Sequence, residues 1–345
     1  MKTLYYVIAV ISITITSTRG QSDNPSTHQN GALVNDERCG SQPSIEEAVP
    51  FTSYPKGVQR VDPGEYPWVV MLSIENLAHF VGESPYTTCM GSIISKRFVL
   101  TASSCFSLYG TENTSPRPRS IIISAGEIDL STTPHCDDDT SCPLNVYIGE
   151  SVKYYRDNGP AEGGKNIALV KTTQTIFFHG YVGPICVDYG ETLRKEFNGR
   201  FGIRVSGWGV SNTDYQQNNK LMVFGDLDIV PSTWSALPDF LPDSFKSQET
   251  DESYFLIQTL NETSHKSDTG GPVMVNFRRK GSKHHRYYLY GVFSFETAFA
   301  IVAKAEALDV AAKVRYHLKW ILDNMYLKDF KLPDKILKLI SGNDY

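Results

Sequence analysis

The 345 residues are 41% hydrophobic and 12% aromatic, enough for one large all-β domain or two small domains with a sizeable core. Thirty-three Lys and Arg against thirty-eight Asp and Glu leave a formal charge of −5, which argues against general nucleic-acid binding. Beyond the N-terminus, no stretch approaches the roughly 20 apolar residues of a membrane span.

Met1 and Lys2 precede an apolar run from Leu4 to Ile15, followed by Ser17, Thr18, Arg19 and Gly20. This order of positive, apolar and small residues predicts a signal peptide over residues 1–20 and a secreted, extracellular protein. Its removal takes Lys2 and Arg19 with it and moves the formal charge from −5 to −7. Export makes the six cysteines disulfide candidates. Asn113 and Asn261 open Asn-x-Ser/Thr sequons and are expected glycosylation positions.

Residues 21–60 are polar, rich in Ser, Asn, Pro and Glu, and carry one cysteine, Cys39; they read as an extended leader or linker. From 61 to 326 short β-branched and aromatic runs alternate with Gly, Pro, Asn and Asp. Examples are Trp68 to Ile74, Cys89 to Ile94, Ile121 to Ser124 and Val205 to Trp208. That punctuation predicts an antiparallel β protein. Val310, Val314, Leu318, Ile321 and Met325 then recur at helical spacing and predict one amphipathic helix. Residues 327–345 form a Lys-rich tail that alternates Lys328, Lys331, Lys335 and Lys338 with apolar residues, expected as a helix packed on its own domain.

Five ordered motifs carry a family resemblance. Pro67-Trp68-Val69-Val70-Met71-Leu72 resembles PWQVSL, Leu100-Thr101-Ala102-Ser103-Ser104-Cys105 resembles LTAAHC, and Asn166-Ile167-Ala168-Leu169-Val170 resembles DIALV. Ser206-Gly207-Trp208-Gly209 matches SGWG, and Ser267-Asp268-Thr269-Gly270-Gly271-Pro272 resembles GDSGGP. From Cys39 to Met325 the chain thus resembles the trypsin/chymotrypsin-like serine proteases. Gly126 to Thr132, and Tyr181 to Cys186, resemble the insect clip-type group within it, although no clip domain is present. The resemblance implies a chymotrypsin-like double antiparallel β-barrel with a C-terminal helix. It also implies disulfides joining Cys39 with Cys186, Cys89 with Cys105, and Cys136 with Cys142. The cysteine that relatives carry four residues before the nucleophile is His265 here, and no cysteine follows Cys186.

The same motifs depart from the family where its chemistry resides. Ser104 stands for the general-base histidine, Asn166 for the carboxylate that orients it, and Thr269 for the serine nucleophile. Serine attack on an amide needs a base within hydrogen-bond reach and an acid that holds its tautomer. A hydroxyl and an amide supply neither, so the expectation is an inactive homologue with turnover lowered about 10⁶-fold, since losses within a triad do not multiply. Ser267 replaces the glycine that presents an oxyanion-hole amide. Asp268 is kept, but the Arg-Ile-Val-Gly-Gly sequence that would supply its partner after cleavage is absent, with Pro55-Lys56-Gly57-Val58 in that place. At the specificity pocket Thr263 stands at the acidic base position, and Ser294, Phe295 and Glu296 replace the SWG wall.

The resemblance therefore implies a non-catalytic binder of extracellular proteins, a cofactor or regulator in a proteolytic cascade of the insect innate-immune or melanisation kind. A competing reading is a slow hydrolase that uses Thr269 with His265 as its base. Another is a polyanion carrier working through the basic run of Arg278, Arg279 and Lys280 with Lys283, His284, His285 and Arg286. Acidic Glu127, Asp137, Asp138, Asp139 and Glu150 read as solvated loops. No metal and no cofactor is expected.

Overall fold

The computed structural model describes residues 24–42, 57–75, 86–106, 118–131, 145–155, 166–187, 203–208, 220–230, 253–259, 269–278, 284–296 and 307–326. The β-branched runs of the first half become β2 (Val69–Glu75), β3 (Tyr86–Ser95), β4 (Phe98–Thr101), β5 (Ser120–Ala125), β6 (Asn145–Tyr154) and β7 (Ala168–Thr172). They close into a barrel in the order β2-β3-β4-β7-β6-β5, which leaves no strand edge unpaired. Burial alternates along β2, as expected for a strand with one face on the core, whereas all of β4 is buried.

A second set of strands follows: β8 (Cys186–Val187), β9 (Ile203–Gly207), β10 (Met222–Val230), β11 (Tyr254–Thr259), β12 (Pro272–Phe277), β13 (Arg286–Glu296) and β14 (Ala307–Lys313). Pairings run β9-β10-β11-β14-β13-β12 and return from β12 to β9, a second closed circuit. Pro272, which has no N–H to give, occupies the first residue of its strand. The expected double barrel with a closing helix is the fold observed.

The helix, α1 (Val314–Asn324), buries Val314, His317, Leu318, Ile321 and Leu322 at three- and four-residue spacing. Val310, expected at its start, lies instead in β14. There it pairs with Leu256 on one side and Phe295 on the other, and this double pairing overrides the helical spacing.

The stretch expected as leader is tied to the domain wherever it is described. Residues 57–60 form β1 (Gly57–Arg60), antiparallel to β10. Residues 24–42 run as turns with a short 3₁₀ helix (Gly31–Leu33) along α1 and the connection between the barrels. The buried His28 ring lies 3.0 Å from Asp323, and Asn30 Nδ2 donates to the Leu322 carbonyl at 2.8 Å. Asn35, at φ 57°, accepts from the Val187 N–H at 2.7 Å and donates to the Val187 carbonyl at 3.2 Å. Cys39 is bonded to Cys186, and Cys89 to Cys105. Gly40, at φ 64°, is required where it stands, since a Cβ would lie 2.2 Å from the Tyr287 carbonyl oxygen.

An aromatic seam joins the barrels. Tyr66, Trp68 and Tyr287 meet with ring centroids 5.3 to 5.8 Å apart. The buried Arg204 guanidinium donates to the hydroxyls of Tyr287 at 2.6 Å and Tyr66 at 3.2 Å.

Candidate functional site

Four segments from both barrels converge. Strand β4 ends at Thr101 and runs into a 3₁₀ turn (Ser103–Phe106), which the Cys89–Cys105 disulfide holds against β3. Asn166 lies two residues before β7, Ser294 is buried within β13, and Thr269 precedes β12.

Asn166 organises the cluster. Its side chain is 2% exposed. The Oδ1 atom accepts from the Ser104 N–H at 2.7 Å and from the Ser103 hydroxyl at 2.9 Å. Across the barrel boundary, Nδ2 donates to Ser294 Oγ at 2.7 Å and the Ser294 carbonyl at 3.2 Å, and it donates to Ser104 Oγ at 2.9 Å. Both ends of a buried amide are thereby satisfied, as burial requires. Direct hydrogen bonds thus link the first barrel's turn to the second barrel's β13.

Thr269 is held through its backbone. Its carbonyl accepts from the Met90 N–H on β3 at 2.9 Å. The next residue, Gly270, has φ 88°, and a Cβ there would lie 2.2 Å from Thr101 Oγ1 and 2.3 Å from the Met90 carbonyl oxygen. Only glycine fits this close crossing of backbones. The Thr101 hydroxyl donates to the same Met90 carbonyl at 2.6 Å. On the other side the Gly270 N–H donates to the Phe293 carbonyl at 2.8 Å, and the Phe293 N–H donates to the Gly271 carbonyl at 2.9 Å. The loop is therefore pinned to β3 and β13 together.

The described groups that meet here are hydroxyls and one amide, none of which accepts a proton near neutral pH. Ser294, expected as pocket wall, proves to be a direct partner of Asn166. Ser103 was not anticipated at all. Its signal lay in the LTAAHC comparison, where position 103 differs from the family alanine as position 104 differs from histidine. Phe295 and Glu296 are placed by backbone pairing with Val310 and Asp309. Arg278 is exposed just beyond β12. Thr263, His265, Ser267, Asp268, Asn113, Asn261, Cys136, Cys142, Arg279 and Lys280 lie outside the described residues, as do residues 1–20 and the tail 327–345.

A second polar cluster lies at the turn after β5, away from these residues in sequence. Glu127 and Asp129 are both 2% exposed. Burial, reinforced by the charge of Asp129, pushes the Glu127 carboxyl up to about 8. For Asp129 burial also pushes upward, but the hydroxyl and N–H of Ser131 and the ammonium of Lys220 outweigh it and hold this carboxyl at about 2. Lys220 Nζ sits 3.1 Å from Asp129, and the Leu221 N–H donates to the Ile128 carbonyl at 2.7 Å. This turn is thereby stitched to the residues leading into β10. Glu150, expected in a solvated loop, lies on β6 and engages Arg97 at 3.0 Å and Lys171 at 3.1 Å.

Comparison with known proteins agrees with this geometry. A family model described as Trypsin matches residues 56–321. CLIP domain-containing serine protease B4 of Anopheles gambiae is 25% identical, over 89% of this chain and 76% of its own length. Phenoloxidase-activating factor 3 of Holotrichia diomphalia is 26% identical, over 86% and 77%. The spaetzle-processing enzyme of Drosophila melanogaster is 26% identical over 68% of this chain, which spans 57% of that protein. Among solved structures, the drosophila Grass clip serine protease of the Toll pathway superposes with a TM-score of 0.60 at 20% identity, covering 85% of this chain and 77% of that one.

Proposed function

The chain belongs to the trypsin family, and from that premise we propose that it is a secreted member without peptidase activity, which works by binding other proteins of an extracellular proteolytic cascade. The observation that carries this reading is the buried Asn166 side chain. Its oxygen and nitrogen are taken up by Ser103, Ser104 and Ser294, at positions where the family mechanism needs a charged carboxylate and an imidazole. The amide leaves nothing to orient a base, and Ser104 is not one.

The role follows from the relatives. One is named as a CLIP domain-containing serine protease, one as an activating factor for phenoloxidase and one as a processing enzyme for spaetzle. With the fold kept and the catalytic groups replaced, binding is the capacity left to such a homologue. The apolar N-terminus and the disulfides suit the oxidising extracellular compartment.

Fluorophosphonate labelling of the purified protein, before and after limited trypsin digestion, tests this reading. The natural chain should remain unlabelled. The Ser104→His, Asn166→Asp, Thr269→Ser variant provides the comparison, with its fold checked by circular dichroism. Labelling that maps to Thr269 in the natural chain overturns the proposal and makes it a threonine hydrolase.

A further inference from the structure

Helix α1 has a second face that its core packing does not use. The side chains it turns inward leave Arg315, Tyr316, Lys319, Trp320 and Asp323 on the outward side. Tyr316 and Trp320 form one row along the helix, and Arg315 and Lys319 form the next. Tyr316 is 48% exposed, and Tyr326, just past the helix, is 40% exposed. These rings are braced from below. The Tyr316 ring stands edge-on to the buried His317 ring at 5.0 Å, and Tyr155, which follows β6, lies 4.4 Å from His317 and 5.5 Å from the partly buried Trp320. On β6 itself, Lys153 is exposed and holds its ammonium 5.9 Å from the centre of the Tyr326 ring. Asp323, the only acid of the helix, is already taken by Lys319 at 2.6 Å and lies 3.0 Å from the His28 ring. From Lys313 to Tyr345, Lys and Arg outnumber Asp and Glu seven to four, in a chain whose formal charge is −5.

We infer that this face docks on an anionic phospholipid membrane, with α1 lying flat on the headgroups. Its chemistry selects that occupant. Tyr and Trp rings beside Lys and Arg are the side chains that settle at the membrane–water boundary, the ring in the interface and the cation at a phosphate. The positive excess of this side, set against the negative charge of the rest of the chain, turns it toward an anionic surface. The chain leaves the face at Tyr326, and the residues that follow interleave Lys328, Lys331, Lys335 and Lys338 with Phe330, Ile336 and Ile340. A bilayer takes up both kinds, cations at its headgroups and apolar side chains below them, whereas a sulfated glycan offers no apolar phase for the second. The apolar side of α1 is spent on the core, so the contact is peripheral and reversible, neither a span nor a deep insertion. This docking concentrates the protein on a surface and is independent of whether the chain cleaves peptides.

Co-sedimentation of the full-length protein with phosphatidylcholine vesicles that contain about 30% phosphatidylglycerol, against vesicles of phosphatidylcholine alone, tests the inference. The expected result is pelleting with the anionic vesicles only, and release when NaCl is raised from about 0.1 to about 0.5 M. Lys153→Gln combined with Lys319→Gln should weaken the partition constant about 30-fold, at roughly fivefold for each charge removed near the surface. Trp320→Phe should lose most of the tryptophan quenching that brominated lipid in the same vesicles produces in the parent. Circular dichroism of both variants should match the parent, because the substituted side chains lie at the surface. Absence of binding to the anionic vesicles overturns the inference, and heparin retention in its place assigns the face to a sulfated glycan. Undiminished binding by the folded double variant, or quenching that persists in Trp320→Phe, places the membrane contact elsewhere and overturns it as well. None of these outcomes bears on peptidase activity, so this test and the labelling experiment stand apart.

Discussion

At position 166 an amide can do what a carboxylate cannot, which is to donate. The Ser294 carbonyl at 3.2 Å and the oxygens of Ser104 and Ser294 are acceptors for Nδ2, and an aspartate oxygen in that place would face the carbonyl oxygen instead. The cluster is thus closed as a neutral network, which costs less to bury than a charge without a partner. Glu127 is a carboxyl whose burial favours its neutral form. Its carboxyl is held at about 8 against an ordinary 4.5, so the folded chain keeps a proton that the unfolded chain releases between those values. Stability from this group is fully present below pH 4.5, falls as pH rises through the window and levels off above about 8. Glu127→Gln should flatten that fall, which amounts to a few kcal/mol (~3–5) over the window. Urea midpoints at pH 5, 7 and 8.5 check this; a parent slope that persists in the variant would show that another group carries it.

Among elements, the N-terminal segment 24–42 is the one whose role changes most on folding. Its composition reads as linker, yet in the fold it caps α1 through Asn30, contacts Asp323 through His28 and binds β8 through Asn35. Asn35 combines a left-handed backbone with a side chain that imitates a strand partner, bonding to both polar groups of Val187. Asn is among the few non-glycine residues that adopt this backbone readily. Asn35→Ala should therefore lose two hydrogen bonds and gain strain, about 2–4 kcal/mol together. The disulfide at Cys39 would keep the segment tethered, so the loss should appear as faster amide exchange at Asn35–Cys39 and Val187 in the folded protein. Unchanged exchange there would assign the docking to Cys39 alone.

For the whole molecule the decisive feature is the seam between barrels. Trp68 precedes β2, Arg204 is on β9, Met274 on β12 and Tyr287 on β13, and they meet in one packed group. The Trp68 ring N–H points at the Met274 sulfur at 3.0 Å, and Arg204 donates to Tyr287 at 2.6 Å. Tyr287→Phe removes one acceptor from a buried guanidinium and should cost about 1–3 kcal/mol. It should lower the urea midpoint while leaving the slope unchanged, because the seam lies within one cooperative unit. A separate early transition for one barrel would show instead that the two unfold independently.

Strand-forming runs around Trp68, Cys89, Ile121 and Val205 were legible from β-branched clusters cut by Gly and Pro, because such signals act over a few neighbouring residues. The family motifs placed Ser104, Asn166 and Thr269 in one site for the same reason, each being recognisable within its own short segment. Two of the disulfides implied by the resemblance, Cys39 with Cys186 and Cys89 with Cys105, are present. What the tertiary structure alone decided is which of these segments meet. Asn166 and Ser294 are 128 residues apart, and Ser103 is 63 residues from Asn166; barrel closure makes them neighbours, and no local pattern records that. Barrel closure also sends Val146 and Ile148 outward, where composition alone assigns such residues to a core. Val310 fits a helix by spacing and a strand by pairing, and the hydrogen bonds available from β11 and β13 settle it as a strand. Local sequence specifies the preference of each segment, whereas partners distant in sequence determine what its side chains touch.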